Sequence, residues 1–180
     1  MFRVVLIVVC VLGLLWAFGS KLQKMPTQPI TSYRGDAPTV TMSKIHGIKK
    51  EFSRGAKLPE WVPTHMIKNG KRMTLSEEQR QMYAILRAFF KNDPVMVHVA
   101  ACESSLWHAL PDGRLQVGPD GLDVGAFMVR VPVHAHELLK YDLDPTRFEH
   151  NVAFATMLYR RDGLRHWKSS RTCWETIAFT

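Results

Sequence analysis

From Val95 to Cys102 the chain reads VMVHVAAC, and Glu103 closes that run. Asp93 and Pro94 stand just before it as an N-cap and first-turn pair, so a short helix is expected there. A helix that is almost wholly apolar has no face to give to water, and this one belongs inside the fold. The chain must therefore place a carboxyl group at the C-terminal end of a buried helix. The carbonyls of that end carry partial negative charge, and half-burial disfavours ionisation further. Both effects raise the pKa expected of Glu103. An acid still protonated near neutral pH is what general-acid cleavage of a glycosidic bond needs. A solvated Glu at a frayed helix end is the plain alternative.

The rest of the chain suits one modest domain with appendages, since 46% of its 180 residues are hydrophobic and 22% charged. SEEQRQMYAILRAFFKND opens with Ser76 and Gln79 at capping-box spacing and carries Met82, Leu86, Phe89 and Phe90 on one face, which predicts an amphipathic helix. Val131 to Lys140 predicts another. Asp144 with Pro145 opens a third, which runs to Asp162, ends at Gly163 and packs through Phe148, Val152, Ala155 and Tyr159. Between these helices, Pro111-Asp112-Gly113 and Pro119-Asp120-Gly121 read as turns around a short strand, Arg114 to Val117. The expected class is mainly α (α+β), with the domain over residues 74–176. His134, His136 and Glu137 lie close together but lack a second ligand cluster, so no metal and no cofactor are implied.

Residues 1–21 hold Arg3, an unbroken apolar run from Val4 to Phe18, and Gly-Ser-Lys. They read as a signal peptide, with Ala17-Phe18-Gly19 at its cleavage site, or as an uncleaved membrane anchor through residues 4–18. Either reading exports the remainder, anchored and facing the periplasm or cell exterior, or secreted if the leader is cleaved. Residues 22–73 contain prolines at 26, 29, 38, 59 and 63 and no sustained period, which predicts a linker. KIHGIKKEFSRGAK and KNGKR make that stretch basic and carry much of the net charge of +8. Anionic wall polymers or lipid headgroups suit it, whereas a specific nucleic-acid partner does not, because aromatics are not interleaved with the basic residues. Cys102 and Cys173 are the only cysteines outside the leader. In an exported chain they are expected to form a disulfide, the alternative being two buried thiols.

A-C-E-S at 101–104, D-V-G-A-F at 123–127, N-V-A-F-A at 151–155 with Tyr159 beyond it, and W-K-S-S-x-x-C-W at 167–174 occur in that order. The pattern, which covers Val95 to Trp174, resembles the soluble lytic transglycosylases, lysozyme-like enzymes of bacterial cell walls. The resemblance implies a lysozyme-like domain with a small β-element in its cleft. It also implies Glu103 as the catalytic acid and base, with Ser104, Asp123, Phe127, Asn151 and Tyr159 in supporting or substrate-binding places. Trp107 and His108, just past the acid, are candidates to stack on or hydrogen-bond a sugar, and Trp107 suits the core equally. Where the family usually has Gln after its G-x-F, this chain has Met128 and then Arg130.

The expected substrate is the glycan strand of peptidoglycan, cut between N-acetylmuramic acid and N-acetylglucosamine. In the transglycosylase mechanism one Glu protonates the glycosidic oxygen and then deprotonates the sugar's own 6-hydroxyl, which closes a 1,6-anhydro ring. Asp123 is then structural, its side chain bonding nearby backbone amides. Two other readings stand beside it: a muramidase that uses water with Asp123 assisting, and a non-catalytic wall-binding or assembly protein that keeps the fold.

Overall fold

The computed structural model describes residues 38–180, except Arg54. The leader or anchor expected at 1–21 and the first part of the expected linker lie outside the described residues. Those described belong to one compact unit, Arg34–Thr180. It is mainly helical, with small antiparallel sheets. Six α-helices are described: α1 Pro38–Glu51, α2 Glu77–Phe89, α3 Val95–Ser104, α4 Val131–Lys140, α5 Phe148–Asp162 and α6 Arg171–Thr176. A 3-10 segment, Gly163–Ser170, leads into α6. Strands β1 His65–Lys68, β2 Lys71–Thr74 and β5 Ala178–Phe179 form one sheet in the order β2-β1-β5, and β3 Asp123–Val124 pairs with β4 Val129–Arg130.

Helix α3 is the inner helix its composition calls for. Met96, Val97, Val99, Ala100 and Ala101 are all buried, and α2, α6 and the 3-10 segment pack around them. Pro94 stands at the cap position, and Asp93 supplies no side-chain cap. The main-chain carbonyl of Asp93 instead accepts from Met96 N at 3.0 Å, so α3 opens on a tight turn of backbone bonds. Helix α2 starts as expected: Ser76 Oγ accepts from Gln79 N, and Gln79 Oε1 accepts from Ser76 N at 2.9 Å.

Helix α5 begins at Phe148, later than Pro145, because Asp144 caps a separate turn by accepting from Thr146 N at 3.0 Å. Its burial goes well beyond one stripe, from Asn151 through Leu158, and both α1 and the 3-10 segment pack against it. The C-terminal end is as expected, with Gly163 in a positive-φ conformation that suits glycine.

The linker expected over 22–73 is corrected from residue 38 onward. Helix α1 packs against α2 and α5 through fully buried Ile45 and through Thr41, and Lys49 Nζ donates to Glu149 Oε1 at 2.9 Å. Lys44 and Lys49 lie over the rings of Phe89 and Phe148. Lysine stems thus supply contact that an apolar stripe would otherwise give. The basic KNGKR stretch is a β-hairpin, with Asn69 (φ 52°) and Gly70 (φ 74°) in the left-handed turn residues that Asn-Gly favours. β5 adds to β1 through Met66–Phe179 and Ile67–Ala178, so the folded unit also runs past residue 176.

The turn signals after α3 hold. Gly113 and Gly121 take positive φ, and the Asp112 and Asp120 side chains accept from Arg114 N and Leu122 N. The strand expected at 114–117 is reduced to isolated bridges, Ala109 with Leu115 and Val117 with Val124. No helix among the described residues is long and apolar enough to cross a membrane, and the apolar run at 4–18 lies outside them.

Candidate active site

Glu103 sits one residue before the C-terminus of α3, half-buried against a cleft of about 440 Å³. Asp123, Phe127, Met128, Arg130, His134, His166 and Trp167 are among the residues that line that cleft. Ser170 Oγ lies 2.6 Å from Glu103 Oε1 and 3.1 Å from the Trp167 carbonyl. Burial pushes the Glu103 carboxyl up from its ordinary range. The Ser170 hydrogen bond and the Lys68 charge oppose that push, and the charge of Asp123 adds to it.

The C-terminal motif explains why these groups meet. Trp167, Ser170 and Cys173 stand three residues apart where the 3-10 segment, kinked at Trp167 (φ -112°, ψ 22°), passes into α6. Trp167 is buried and its Nε1 donates to the Phe127 carbonyl at 3.0 Å. Cys173 is disulfide-bonded to Cys102, with their Cα atoms 5.9 Å apart. Trp174 Nε1 donates to the Trp167 carbonyl at 3.0 Å. One short motif therefore ties both the end of α3 and the opposite loop.

That loop is fixed by buried polar side chains. Asn151 Oδ1 accepts from Phe127 N at 3.1 Å, while its Nδ2 donates to the Val124 and Pro145 carbonyls at 2.9 and 3.1 Å. His108 Nε2 donates to the Thr146 carbonyl at 2.8 Å, which leaves Nδ1 to accept from Ala126 N at 3.3 Å. Burial holds His108 below the ordinary histidine range, in keeping with this neutral form. Ser104 Oγ lies 2.9 Å from the Ala100 and Ala126 carbonyls and ties α3 to the same loop. Ser104, His108 and Asn151 are all buried, and each serves the loop's backbone rather than the open cleft.

Gly125 lies where these groups converge. Its φ is +76°, and a Cβ there would stand 2.5 Å from Asn151 Nδ2 and 2.7 Å from His108 Nδ1. Gly125→Ala is expected to cost roughly 2–4 kcal/mol through strain and overlap together, measured as a shift in the denaturant midpoint.

The remaining expected site residues are divided. Asp123 and Phe127 line the cleft, and Phe127 is fully buried as part of its wall. The Asp123 carboxylate does not bond nearby amides; it holds Arg130, whose guanidinium spans Asp123 and Asp120 at 2.8 and 2.9 Å. Trp107 is half-buried and does not line the cleft. Tyr159 is also outside the lining, its hydroxyl 3.4 Å from Asp93 Oδ1. Ser170, and Lys68 described below, carried no expectation from the sequence. Among the described residues no group of three or more His, Cys, Asp or Glu side chains could hold a metal ion.

Comparison with protein-family models, curated proteins and solved structures finds no significant match. The chemistry of the site accordingly rests on its own geometry. One carboxyl with an elevated pKa, at the edge of an open cleft and beside a hydroxyl that can turn either way, is equipped to give a proton and take one back.

Proposed function

We propose that this chain is a lytic transglycosylase with a lysozyme-like domain, which cleaves the glycan strand of peptidoglycan through Glu103. The observation that carries this reading is the Glu103–Ser170–Trp167 arrangement. When Glu103 is protonated, its hydroxyl donates to Ser170 Oγ and the serine proton turns to the Trp167 carbonyl. When Glu103 is ionised, the serine proton turns to the carboxylate. Neither state leaves a polar group without a partner, so one side chain can serve as acid and then as base. A single acid-base residue that protonates the leaving oxygen and then accepts the 6-hydroxyl proton needs both states in turn.

Hydrolysis by water is the second reading, because Asp123 lines the same cleft. Its carboxylate is committed to Arg130, which favours a supporting place over nucleophilic attack. An exported location, peptidoglycan as substrate and contact of the basic surface with anionic wall polymers belong to the same proposal.

The experiment is mass spectrometry of fragments released from purified peptidoglycan by the full-length chain. Products with 1,6-anhydromuramyl ends support the transglycosylase, and reducing ends support the muramidase. No release from several wall types would sink both and leave a glycan-binding protein.

Ser170→Ala tests the relay directly. Its loss removes the bond that favours ionised Glu103, so the alkaline limb of the pH–rate profile is expected to move up while turnover falls about tenfold.

A further inference from the structure

Two consecutive non-glycine residues directly after α3, Ser105 (φ 56°) and Leu106 (φ 65°), are left-handed. Such a conformation costs of order 1 kcal/mol or more per residue and persists only where surrounding structure enforces it. The enforcement here is visible. Gln79 Nε2 donates to the Ser105 carbonyl at 2.8 Å, and Leu106 is fully buried. Lys68, the last residue of β1, supplies the rest. Its ammonium group donates to the carbonyls of Ala101 and Cys102 at 3.0 and 2.9 Å and to Ser105 Oγ at 2.9 Å. All three donors of a half-buried cation are thus spent on the end of the helix that carries Glu103. A cation at a helix C-terminus is favoured by the exposed carbonyl dipoles, and this one lies close enough to Glu103 for their charges to interact.

We propose that Lys68 is a positioning residue for Glu103, clamping the last turn of α3 and the strained turn behind it so that the carboxyl stays fixed over the cleft. The inference rests on the reading of Glu103 as the reactive group. It gives the basic hairpin a place in the site that neither solubility nor wall attraction requires. Lys68 makes no direct ion pair with Glu103, so its charge acts across the helix end. The other groups facing Glu103 or its cleft are Ser170 from the 3-10 segment, Asp123 on β3, Arg130 on β4, His134 on α4 and His166 on the 3-10 segment. Lys68 hydrogen-bonds to none of them, its donors going to Ala101, Cys102 and Ser105. Its cation favours ionised Glu103, so a neutral residue there moves the Glu103 midpoint upward.

The test is a carbon-13 NMR titration of the Glu103 carboxyl in the full-length chain, in wild type, K68M and K68R, beside pH–rate profiles on peptidoglycan. In K68M the midpoint should rise by about half a pH unit or more, with the alkaline limb of activity moving the same way and turnover falling about tenfold. K68R, which keeps the charge, should stay within about 0.3 unit of wild type. A Glu103 midpoint unchanged in folded K68M overturns the proposal. Should K68M fail to fold, K68Q keeps a donor for the Cys102 carbonyl and carries the same titration. A chain without lytic activity whose midpoint still moves would sink the glycan reading and leave the Lys68 clamp standing.

Discussion

Glu103→Gln is expected to lower glycan-strand cleavage by about a hundredfold to ten-thousandfold, the range that a positioned general acid contributes. The amide keeps the shape of the side chain but can neither give a proton to the leaving oxygen nor take one from the 6-hydroxyl. Thermal stability should not fall with activity. Burial makes an ionised Glu103 a cost to the fold at neutral pH, and a neutral isostere relieves it. A carboxyl whose folded pKa is raised destabilises above its unfolded value, and that penalty fades as the pH falls through the folded value. Wild type should therefore close the gap to Glu103→Gln on acidification, as read from unfolding midpoints at pH 8 and pH 5. A variant that kept more than about a tenth of wild-type cleavage would remove Glu103 from the chemistry.

The helices were legible wherever one physical signal dominated. An apolar run between Pro94 and Glu103 leaves only an inner helix, and the Ser76–Gln79 capping box marks the start of α2. Helix α1 was hidden because Pro38, Thr39, Val40 and Thr41 are poor helix formers, and because its packing uses lysine stems and one isoleucine instead of an apolar face. The hairpin, by contrast, was signalled. Asn69-Gly70 is a strong short-range hairpin marker, but it lies in a stretch whose prolines and lack of a sustained period point to a linker.

The site was readable at its centre and obscure at its supports. The position of Glu103 at the end of a buried helix follows from local sequence. Lys68 reaches the end of that helix from a strand 33 or more residues earlier, and Ser170 reaches Glu103 from 67 residues later. No local pattern encodes such contacts. The resemblance gives Asn151 and Ser104 supporting or substrate-binding places, yet the structure gives their hydrogen-bonding capacity largely to the Val124–Phe127 backbone. Polar residues in a motif can serve the loop that shapes a cleft as readily as the ligand inside it. Arg130, which stands near where an amide would be expected, is spent on two aspartates.

Loss of the Cys102–Cys173 disulfide should produce the largest fall in stability. The bond closes a loop across a sequence separation of 71 residues, for which the chain-entropy model gives about 4 kcal/mol at 25 °C. For a folded unit of this size that corresponds to roughly 8–16 °C in Tm. The comparison is thermal unfolding of wild type with and without reductant, beside a Cys102→Ala, Cys173→Ala double variant that should match the reduced protein. Activity should fail earlier than the fold. Cys102 precedes Glu103, and Cys173 follows Ser170 by three residues, so the bridge holds the two halves of the acid–hydroxyl pair against each other. Without it, α6 is tied to α3 only by weaker contacts such as His98 Nδ1 with the Trp174 carbonyl at 3.2 Å. Cleavage by the reduced protein should decline well below its own unfolding temperature, with the alkaline limb of the pH–rate profile moving in the direction given by Ser170→Ala. If reduction lowered Tm by the expected amount but left that limb in place, the disulfide would stabilise the chain without aligning Ser170 on Glu103.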